Sequence, residues 1–119
     1  IIVLSDKKLL GEIGETIAQE YLINKNYLII DLNWRYKKAE VDIISQLKDT
    51  LVFVEVKCRK SDFFSRPEQA INHKKEELYK LAAENYLEVN NLEYEIRFDV
   101  ISIIHNNNKT EIEHFISAF

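Results

Sequence analysis

The amino-acid sequence predicts an α/β fold in which helices flank a mixed sheet, with elements in the order α-β-β-β-α-β-β. Two runs of mostly β-branched residues, Val41–Ile44 and Leu51–Val56, are separated by a short polar stretch, which is typical of a β-hairpin. A helical pattern precedes these strands, a second helical pattern follows them, and two further apolar runs close the chain. At 119 residues, 46% hydrophobic and 30% charged, we expect residues 1–119 to form one globular domain.

The first element is predicted to be a helix that begins after Ser5, a suitable N-cap, and ends near Asn24. At 100° per residue, one side of this helix collects small residues and one carboxylate: Gly11, Gly14, Glu15, Ala18 and Leu22. Such a side can approach another element closely, and Glu15 lies within it. The alternative is that Gly11 marks a later helix start and that Glu15 is solvated.

Residues Tyr27–Arg35 are predicted to be the first strand, and the hairpin supplies the second and third. If Lys48 and Asp49 are the central turn residues, Asp42 faces Glu55 across the ladder and Glu40 faces Lys57. Along the third strand, residues 52, 54, 56 and 58 point one way and residues 51, 53, 55 and 57 the other. The second set changes from apolar to charged, so the strand emerges at its C-terminal end, where open α/β sheets place their sites.

The facing pair Asp42 and Glu55 is the feature that points to chemistry. Like charges directly opposite each other destabilise a sheet, so two carboxylates in this position require a reason. A divalent cation between them supplies one, because Mg²⁺ binds one or two carboxylates and completes its octahedron with water and phosphate oxygens. Lys57 shares the face of Glu55 and would place a positive charge beside a metal-bound water or a phosphate.

The second half of the chain is predicted to contain a helix and two strands. Ser65 and Glu68 form a capping box with Pro67 in the first turn, for a helix that ends near Val89. Its core stripe is expected to comprise Ile71, Leu78, Leu81, Ala82, Tyr86 and Val89. The last two strands are expected at Tyr94–His105, with Arg97 and Asp99 as a structural pair, and at Glu111–Phe119.

Composition excludes several classes of protein. No apolar run approaches the roughly 20 residues of a membrane helix, and the segment Ile1–Leu4 is too short for a signal-peptide core. The lone Cys58 forms no internal disulfide, so we expect a reducing cytoplasm. Methionine is absent, so either the initiator was removed or the chain is a trimmed piece.

A net charge of −4 argues against a purely electrostatic nucleic-acid binder, yet the basic residues are unevenly placed. They cluster on both sides of the proposed carboxylate pair, and the residues predicted to contact nucleic acid are Arg35, Lys37, Lys38, Arg59, Lys60, Arg66, Lys74 and Lys75. The two lysines of the second helix could reach a phosphate beside the helix N-terminus or lie along apolar surface. The whole set could also be no more than a solvated rim.

The constellation of Glu15, Asp42 and Glu55-x-Lys57 on this order of elements resembles the PD-(D/E)XK nuclease superfamily. Short motifs narrow the resemblance to the YraN-like family, small bacterial predicted endonucleases related to archaeal Holliday junction resolvases. These motifs are Gly11-x-x-Gly14-Glu15, Asn33-Trp34-Arg35, Glu40-Val41-Asp42, Val52–Lys57, Pro67 with Ala70-Ile71 and Lys74, Arg97–Val100 and Ala118-Phe119. The chain departs from the family pattern at Ala39 and Ser65, where the family usually has glycine.

The resemblance implies a restriction-endonuclease-like core and a Mg²⁺- or Mn²⁺-dependent endonuclease of DNA repair or recombination. It assigns Asp42, Glu55 and the carbonyl of Val56 as metal ligands, with Glu15 as an auxiliary acid that binds directly or through water. Lys57 would orient or deprotonate the attacking water. The implied partner is DNA, branched or single-stranded, and the related resolvases suggest a homodimer.

Two other functions are compatible with the residues. The chain could be a nucleic-acid-binding domain that retains the nuclease fold without catalysis, which its net acidity favours. Alternatively, Glu40 and Lys57 could form an ordinary cross-strand salt bridge in a protein–protein adaptor, in which case Asp42 and Glu55 would point into solvent.

Overall fold

The computed structural model describes residues 6–61 and 72–119. In these ranges the elements are α1 (Asp6–Asn24), β1 (Leu28–Tyr36), β2 (Ala39–Leu47), β3 (Thr50–Arg59), α2 (His73–Val89), β4 (Glu95–His105) and β5 (Thr110–Phe115). This order confirms the predicted α-β-β-β-α-β-β arrangement. No helix in the described ranges is long and apolar enough to cross a membrane.

The five strands form one mixed sheet in the order β1-β2-β3-β4-β5, in which only β3 and β4 are parallel neighbours. Alternate side chains of β3 belong to two cores on opposite faces. Leu51 and Phe53 pack with α2, whereas Val52 and Val54 pack with α1. One helix therefore covers each face, and the arrangement is that of an α/β restriction-endonuclease-like core.

The β2–β3 hairpin has the predicted register. Leu47 pairs with Thr50 and Ile43 with Val54, around a turn in which Lys48 adopts a left-handed φ of 54°. The regular ladder ends at Ile43 and Val54, and the next position along this register brings Asp42 level with Glu55. The two strands thus begin to separate where the two carboxylates lie.

Beyond that point the predicted pairing of Glu40 with Lys57 is wrong. Glu40 instead pairs with Arg35 of β1, and a side-chain oxygen of Glu40 lies 2.9 Å from the Arg35 guanidinium. At this position β2 has separated from β3 but is still paired with β1. Glu40 therefore has its partner on β1 and not on β3.

Helix α1 packs closely on β3 at a single glycine. A Cβ added to Gly14 would collide with the Cβ of Cys58 and lie 3.0 Å from its Sγ, whereas a Cβ added to Gly11 would meet nothing within 4 Å. The helix extends from Asp6, so Gly11 does not mark a later start, and the buried side is Gly14, Ala18 and Leu22. Only the second glycine is required for the close approach.

Helix α2 differs from the prediction at its start and in its buried side. It begins at His73 with Asn72 as N-cap, and the Asn72 side chain accepts a 2.9 Å hydrogen bond from the Lys75 N–H. The proposed capping box of Ser65 and Glu68, with Pro67, lies outside the described residues. The buried side chains are Tyr79, Ala82, Ala83 and Tyr86, whereas Leu81 and Val89 are 49% and 63% exposed.

The predicted Arg97–Asp99 pair is confirmed and is part of a larger network. Arg97 donates two hydrogen bonds of 2.9 and 2.7 Å to the fully buried Asp99 carboxylate, and His114 Nε2 of β5 lies 2.6 Å from Asp99 Oδ2. Burial alone would raise the pKa of Asp99, but the hydrogen bonds from His114 and Arg97 hold it below its ordinary value. The network ties β4 to β5, which ends at Phe115, before the predicted Phe119.

Candidate active site

An acidic pocket of about 280 Å³ lies between α1 and the ends of β1, β2 and β3. Its lining comprises four carboxylates, Glu12, Glu15, Glu40 and Asp42, together with Lys8, Gly11, Asn33 and Val56. Glu12 lies on α1 one helical turn before Glu15. The pocket therefore collects two of the four predicted catalytic residues, together with the main chain at Val56.

The backbones of β1 and β2 are irregular beside this pocket. Asn33 has a left-handed φ of 53° and lies level with Asp42 in the β1–β2 register, a conformation that asparagine tolerates better than most residues. On β2, Ile43 belongs to the core under α1 and Val41 to the core under α2, although residues two apart on a regular strand share a face. This twist brings the Asp42 side chain to β3, where Oδ2 accepts a 2.8 Å hydrogen bond from the Val56 N–H.

Glu55 is buried, only 6% exposed, and is held by two residues of α2. Its Oε1 accepts a hydrogen bond from the ammonium of Lys75, and its Oε2 accepts one from the hydroxyl of Tyr79. Burial and the neighbouring Glu55 carboxylate raise the pKa of the Tyr79 hydroxyl, so Tyr79 stays a hydrogen-bond donor. Glu55 is thus a satisfied, paired carboxylate.

Asp42 has a hydrogen bond from a main-chain N–H and a strongly raised pKa. Burial and the negative charge of Glu55 raise its pKa to about 7, and the hydrogen bond from the Val56 N–H only partly offsets them. The pKa of Glu15 is also raised, first by burial and then by the charges of Glu40, Glu12 and Glu55. Burial and mutual repulsion among these carboxylates therefore raise the pKa values of both Glu15 and Asp42.

This donor set suits a hard divalent cation, because carboxylate and carbonyl oxygens are the ligands that Mg²⁺ and Mn²⁺ prefer. The unbalanced charge on Asp42 is the structural observation that fits such an ion. Residues 6–61 and 72–119 nevertheless contain no group of three or more Asp, Glu, His or Cys side chains already gathered at metal-binding distances. Asp42, Glu55 and Glu15 are therefore close enough to repel one another but are not preassembled as a cage.

Lys57 is exposed and lines a second cavity, of about 400 Å³, which begins on β3 one residue beyond Val56 of the acidic pocket. This basic groove lies between the start of α1 and the end of β3, and its lining residues are Asp6, Lys7, Leu10, Lys57, Cys58, Arg59, Lys60 and Ser61. Val56 and Lys57 are consecutive in the chain and line the acidic pocket and the basic groove respectively. The predicted lysine therefore follows directly on β3 after the main chain that lines the acidic pocket, in a groove where four basic residues meet.

The remaining residues predicted to contact nucleic acid are spread over three places. Arg35, Lys37 and Lys38 are exposed at the β1–β2 turn, where the Lys37 ammonium lies 5.3 Å from the centre of the Tyr36 ring. Lys74 is exposed at the start of α2, whereas Lys75 points inward to Glu55. Arg66 lies outside the described residues.

Several residues of the site were not predicted. Asn33 and Glu40 line the acidic pocket, Lys7 lines the basic groove, and Tyr79 holds Glu55. The helical spacing of Lys75 and Tyr79, four residues apart, puts both on one side of α2 and could have suggested a shared partner. Nothing local to Asn33 or Lys7 indicates the pocket, because each reaches it through the packing of α1 and β1 on the hairpin.

The Lys57 placement and the burial of Glu55 also decide against one alternative from the sequence. The adaptor hypothesis required a Glu40–Lys57 salt bridge and solvent-facing carboxylates, yet Glu40 pairs with Arg35, Glu55 is buried and Asp42 is partly buried. A larger cavity of about 510 Å³, between α2 and residues 115–119, has Glu76 as its only charged described lining residue and offers no comparable chemistry.

Comparison with known proteins agrees with the family resemblance. A family model described as "Uncharacterised protein family UPF0102" matches residues 14–103. A UPF0102 protein of Christiangramia forsetii is 44% identical over 92% of both chains, and one of Alkaliphilus oremlandii is 43% identical over 94% of this chain and 98% of that protein. A third, from Flavobacterium psychrophilum, is 42% identical over 92% of both chains. The chain therefore belongs to the UPF0102, or YraN-like, family.

Proposed function

We propose that this protein is a metal-dependent endonuclease that hydrolyses phosphodiester bonds in DNA. One observation carries the proposal: Asp42 and Glu55 are brought level at the point where β2 and β3 separate, with a pKa of about 7 for Asp42. Repulsion of this kind is costly for the fold, and a bound cation removes the cost. Strongly perturbed carboxyl groups beside a pocket are typical of functional sites.

The residues that would hold the ion are Asp42, Glu55 and the main-chain carbonyl of Val56, with Glu15 on the opposite wall. When bound, Mg²⁺ or Mn²⁺ would neutralise charge on the phosphodiester and act as a Lewis acid. Lys57, one residue beyond the ligand carbonyl, would orient or deprotonate the attacking water. Its long side chain and exposed position leave it free to reach a bound phosphate.

The basic groove supports DNA as the substrate. Lys7, Lys57, Arg59 and Lys60 line one cavity, and Lys57 follows directly after Val56, which lines the acidic pocket. We expect a phosphate backbone bound in this groove to reach the carboxylates. Phosphate contacts of this kind position nucleic acid without reading sequence. They also give binding despite a net charge of −4, because the local charge of the groove differs from the charge of the whole chain.

The test is cleavage of branched, flapped and single-stranded DNA by purified protein with Mg²⁺ or Mn²⁺. Asp42→Ala and Lys57→Ala should each abolish cleavage while the circular dichroism spectrum stays that of the wild type. Asp49→Ala and Lys109→Ala are matched controls, because they remove the same charges from exposed positions in other turns. If the wild type leaves all three substrates uncut with either ion, the catalytic proposal fails.

A second candidate is a non-catalytic nucleic-acid-binding domain, and one observation favours it. Both carboxylate oxygens of Glu55 are already engaged by Lys75 and Tyr79, which would be a stable arrangement in a protein that binds no metal. Such a protein would shift branched or single-stranded DNA in a gel equally well with divalent metal or with chelator. Metal-dependent cleavage excludes this candidate.

A further inference from the structure

The ammonium of Lys75 engages one carboxylate oxygen of Glu55, a residue predicted to bind metal. This oxygen is Oε1, and the ion pair links the first turn of α2 to the buried end of β3. The Glu55 side chain is 8% exposed and that of Lys75 is 39% exposed. The carboxylate is therefore fixed in the interior, while part of the lysine side chain is open to solvent.

We propose that Lys75 is the resident counter-cation of this site: it neutralises Glu55 in the metal-free protein and must be displaced before a divalent cation can bind. This inference rests on the proposed metal-dependent function. It assigns Lys75 a charge-neutralising role at Glu55 in addition to the contact with nucleic acid expected from the sequence.

The structure allows this exchange without movement of the main chain. The Lys75 N–H donates to the side chain of its N-cap Asn72, so the backbone at this position is fixed at the helix start. The ammonium lies at the end of a flexible four-carbon stem and can leave Glu55 by rotation of the side chain alone. Tyr79, one helical turn further on, still donates to Oε2 of Glu55 and keeps the carboxylate in place.

The charges at the site determine whether substitution of Lys75 strengthens or weakens metal binding. A divalent cation beside Asp42 and Glu55 is repelled by the Lys75 ammonium and competes with it for Oε1. Removing the lysine charge should therefore strengthen metal binding. If Lys75 merely held Glu55 in position, removing it would leave the carboxylate misplaced and weaken metal binding. The two roles predict opposite signs.

The first experiment is isothermal titration calorimetry of the full chain with Mn²⁺ and Mg²⁺. We expect Lys75→Gln, which keeps a hydrogen-bond donor but loses the charge, to bind metal at least about ten-fold more tightly, equivalent to about 1.4 kcal/mol. Lys75→Arg keeps the charge and should bind like the wild type. The control is Lys80→Gln, which removes a lysine from the same helix that pairs with Glu76 at 3.4 Å.

The second experiment measures thermal unfolding with and without metal. In chelator, Lys75→Gln should melt below the wild type and below Lys80→Gln, because Glu55 then lacks its counter-charge. The same saturating Mg²⁺ concentration should raise its melting temperature by more than that of the wild type, since a ligand that binds only the folded state stabilises it by an amount that increases with the logarithm of its affinity. This readout does not depend on cleavage.

The outcomes separate the two proposals. If the wild type binds metal and Lys75→Gln binds it equally or more weakly, the counter-cation role is wrong and the metal site stands. If neither the wild type nor any variant binds Mn²⁺ or Mg²⁺, the proposed metal-dependent function fails, and the role of Lys75 as a displaceable cation fails with it.

Discussion

Replacing Asp42 by Asn should stabilise the metal-free protein at neutral pH, even though it removes a predicted catalytic group. The carboxyl pKa is raised from 3.8 to about 7 by burial and by Glu55. At about 1.36 kcal/mol for each pKa unit, this difference corresponds to at most about 4 kcal/mol of unfolding free energy. Asparagine keeps the side-chain oxygen that accepts from the Val56 N–H, so the substitution removes charge and retains the contact.

The dependence on pH follows from linkage. Between about pH 4 and pH 7 the folded protein keeps a proton on Asp42 that the unfolded chain has lost, so stability falls as pH rises through this window. Above about pH 7 both states are ionised at this residue and the loss is complete. An asparagine does not titrate, so the variant and the wild type should be almost equally stable at pH 4 and differ most at pH 8.

Urea denaturation in chelator at several values between pH 4 and pH 8 measures this difference directly. Asp49→Asn, in the exposed turn of the same hairpin, is the control and should follow the wild type. Adding Mg²⁺ at pH 8 should stabilise the wild type and leave Asp42→Asn unchanged. A stability difference that is the same at pH 4 and pH 8 would refute the argument that Asp42 is held against the charge of Glu55.

Two further predictions concern the scaffold. Gly14→Ala should lower the free energy of unfolding by about 1–3 kcal/mol, because the new methyl group meets Cys58. Gly11→Ala should raise it by about 0.5–1 kcal/mol in the same urea titration, because its methyl group meets nothing within 4 Å and alanine favours the helix. Equal effects of the two substitutions would contradict the close α1–β3 contact. Asp99→Asn should cost about 3–5 kcal/mol at pH 7, because Arg97 and His114 lose the buried carboxylate that pairs with them. Since the pKa of Asp99 is lowered, its contribution is present above about pH 4 and is lost as pH falls through the folded-state pKa, so the variant and the wild type should converge at acid pH. A gap that stays constant down to pH 3 would show that the pairing is not what the substitution removes.

Sequence reasoning was most successful for the hairpin. The polar turn at Lys48 and Asp49 fixes which residues of β2 and β3 face each other, because the length of a hairpin turn sets the register of its two strands. The same reasoning predicted the wrong partner for Glu40, near the start of β2. Its partner depends on whether β2 follows β3 or β1 after the ladder ends, and the local pattern does not contain that choice.

For helix α2 the sequence predicted the end of the helix but not its buried side. The sequence predicts its C-terminal end at Val89, but the buried side is rotated toward Tyr79 and Ala83 and away from Leu81. A hydrophobicity pattern counts Tyr79 as ambiguous and Leu81 as core. In the folded protein Tyr79 is buried in the core under α2, and its hydroxyl donates to Glu55, so burial leaves it with a hydrogen-bond partner.

The sequence by itself determined the order of helices and strands, the register of the hairpin and the two carboxylates that come level on it, because periodicity and turn chemistry act over a few neighbouring residues. Only the tertiary structure decided which groups donate hydrogen bonds to those carboxylates or pair with their charge. Lys75 is 20 residues from Glu55 along the chain, and its contact exists because α2 packs across the sheet with one particular side turned inward. The contacts from Lys75 and Tyr79 make the difference between a paired Glu55 and a repelled Asp42, and no local pattern encodes contacts at that distance.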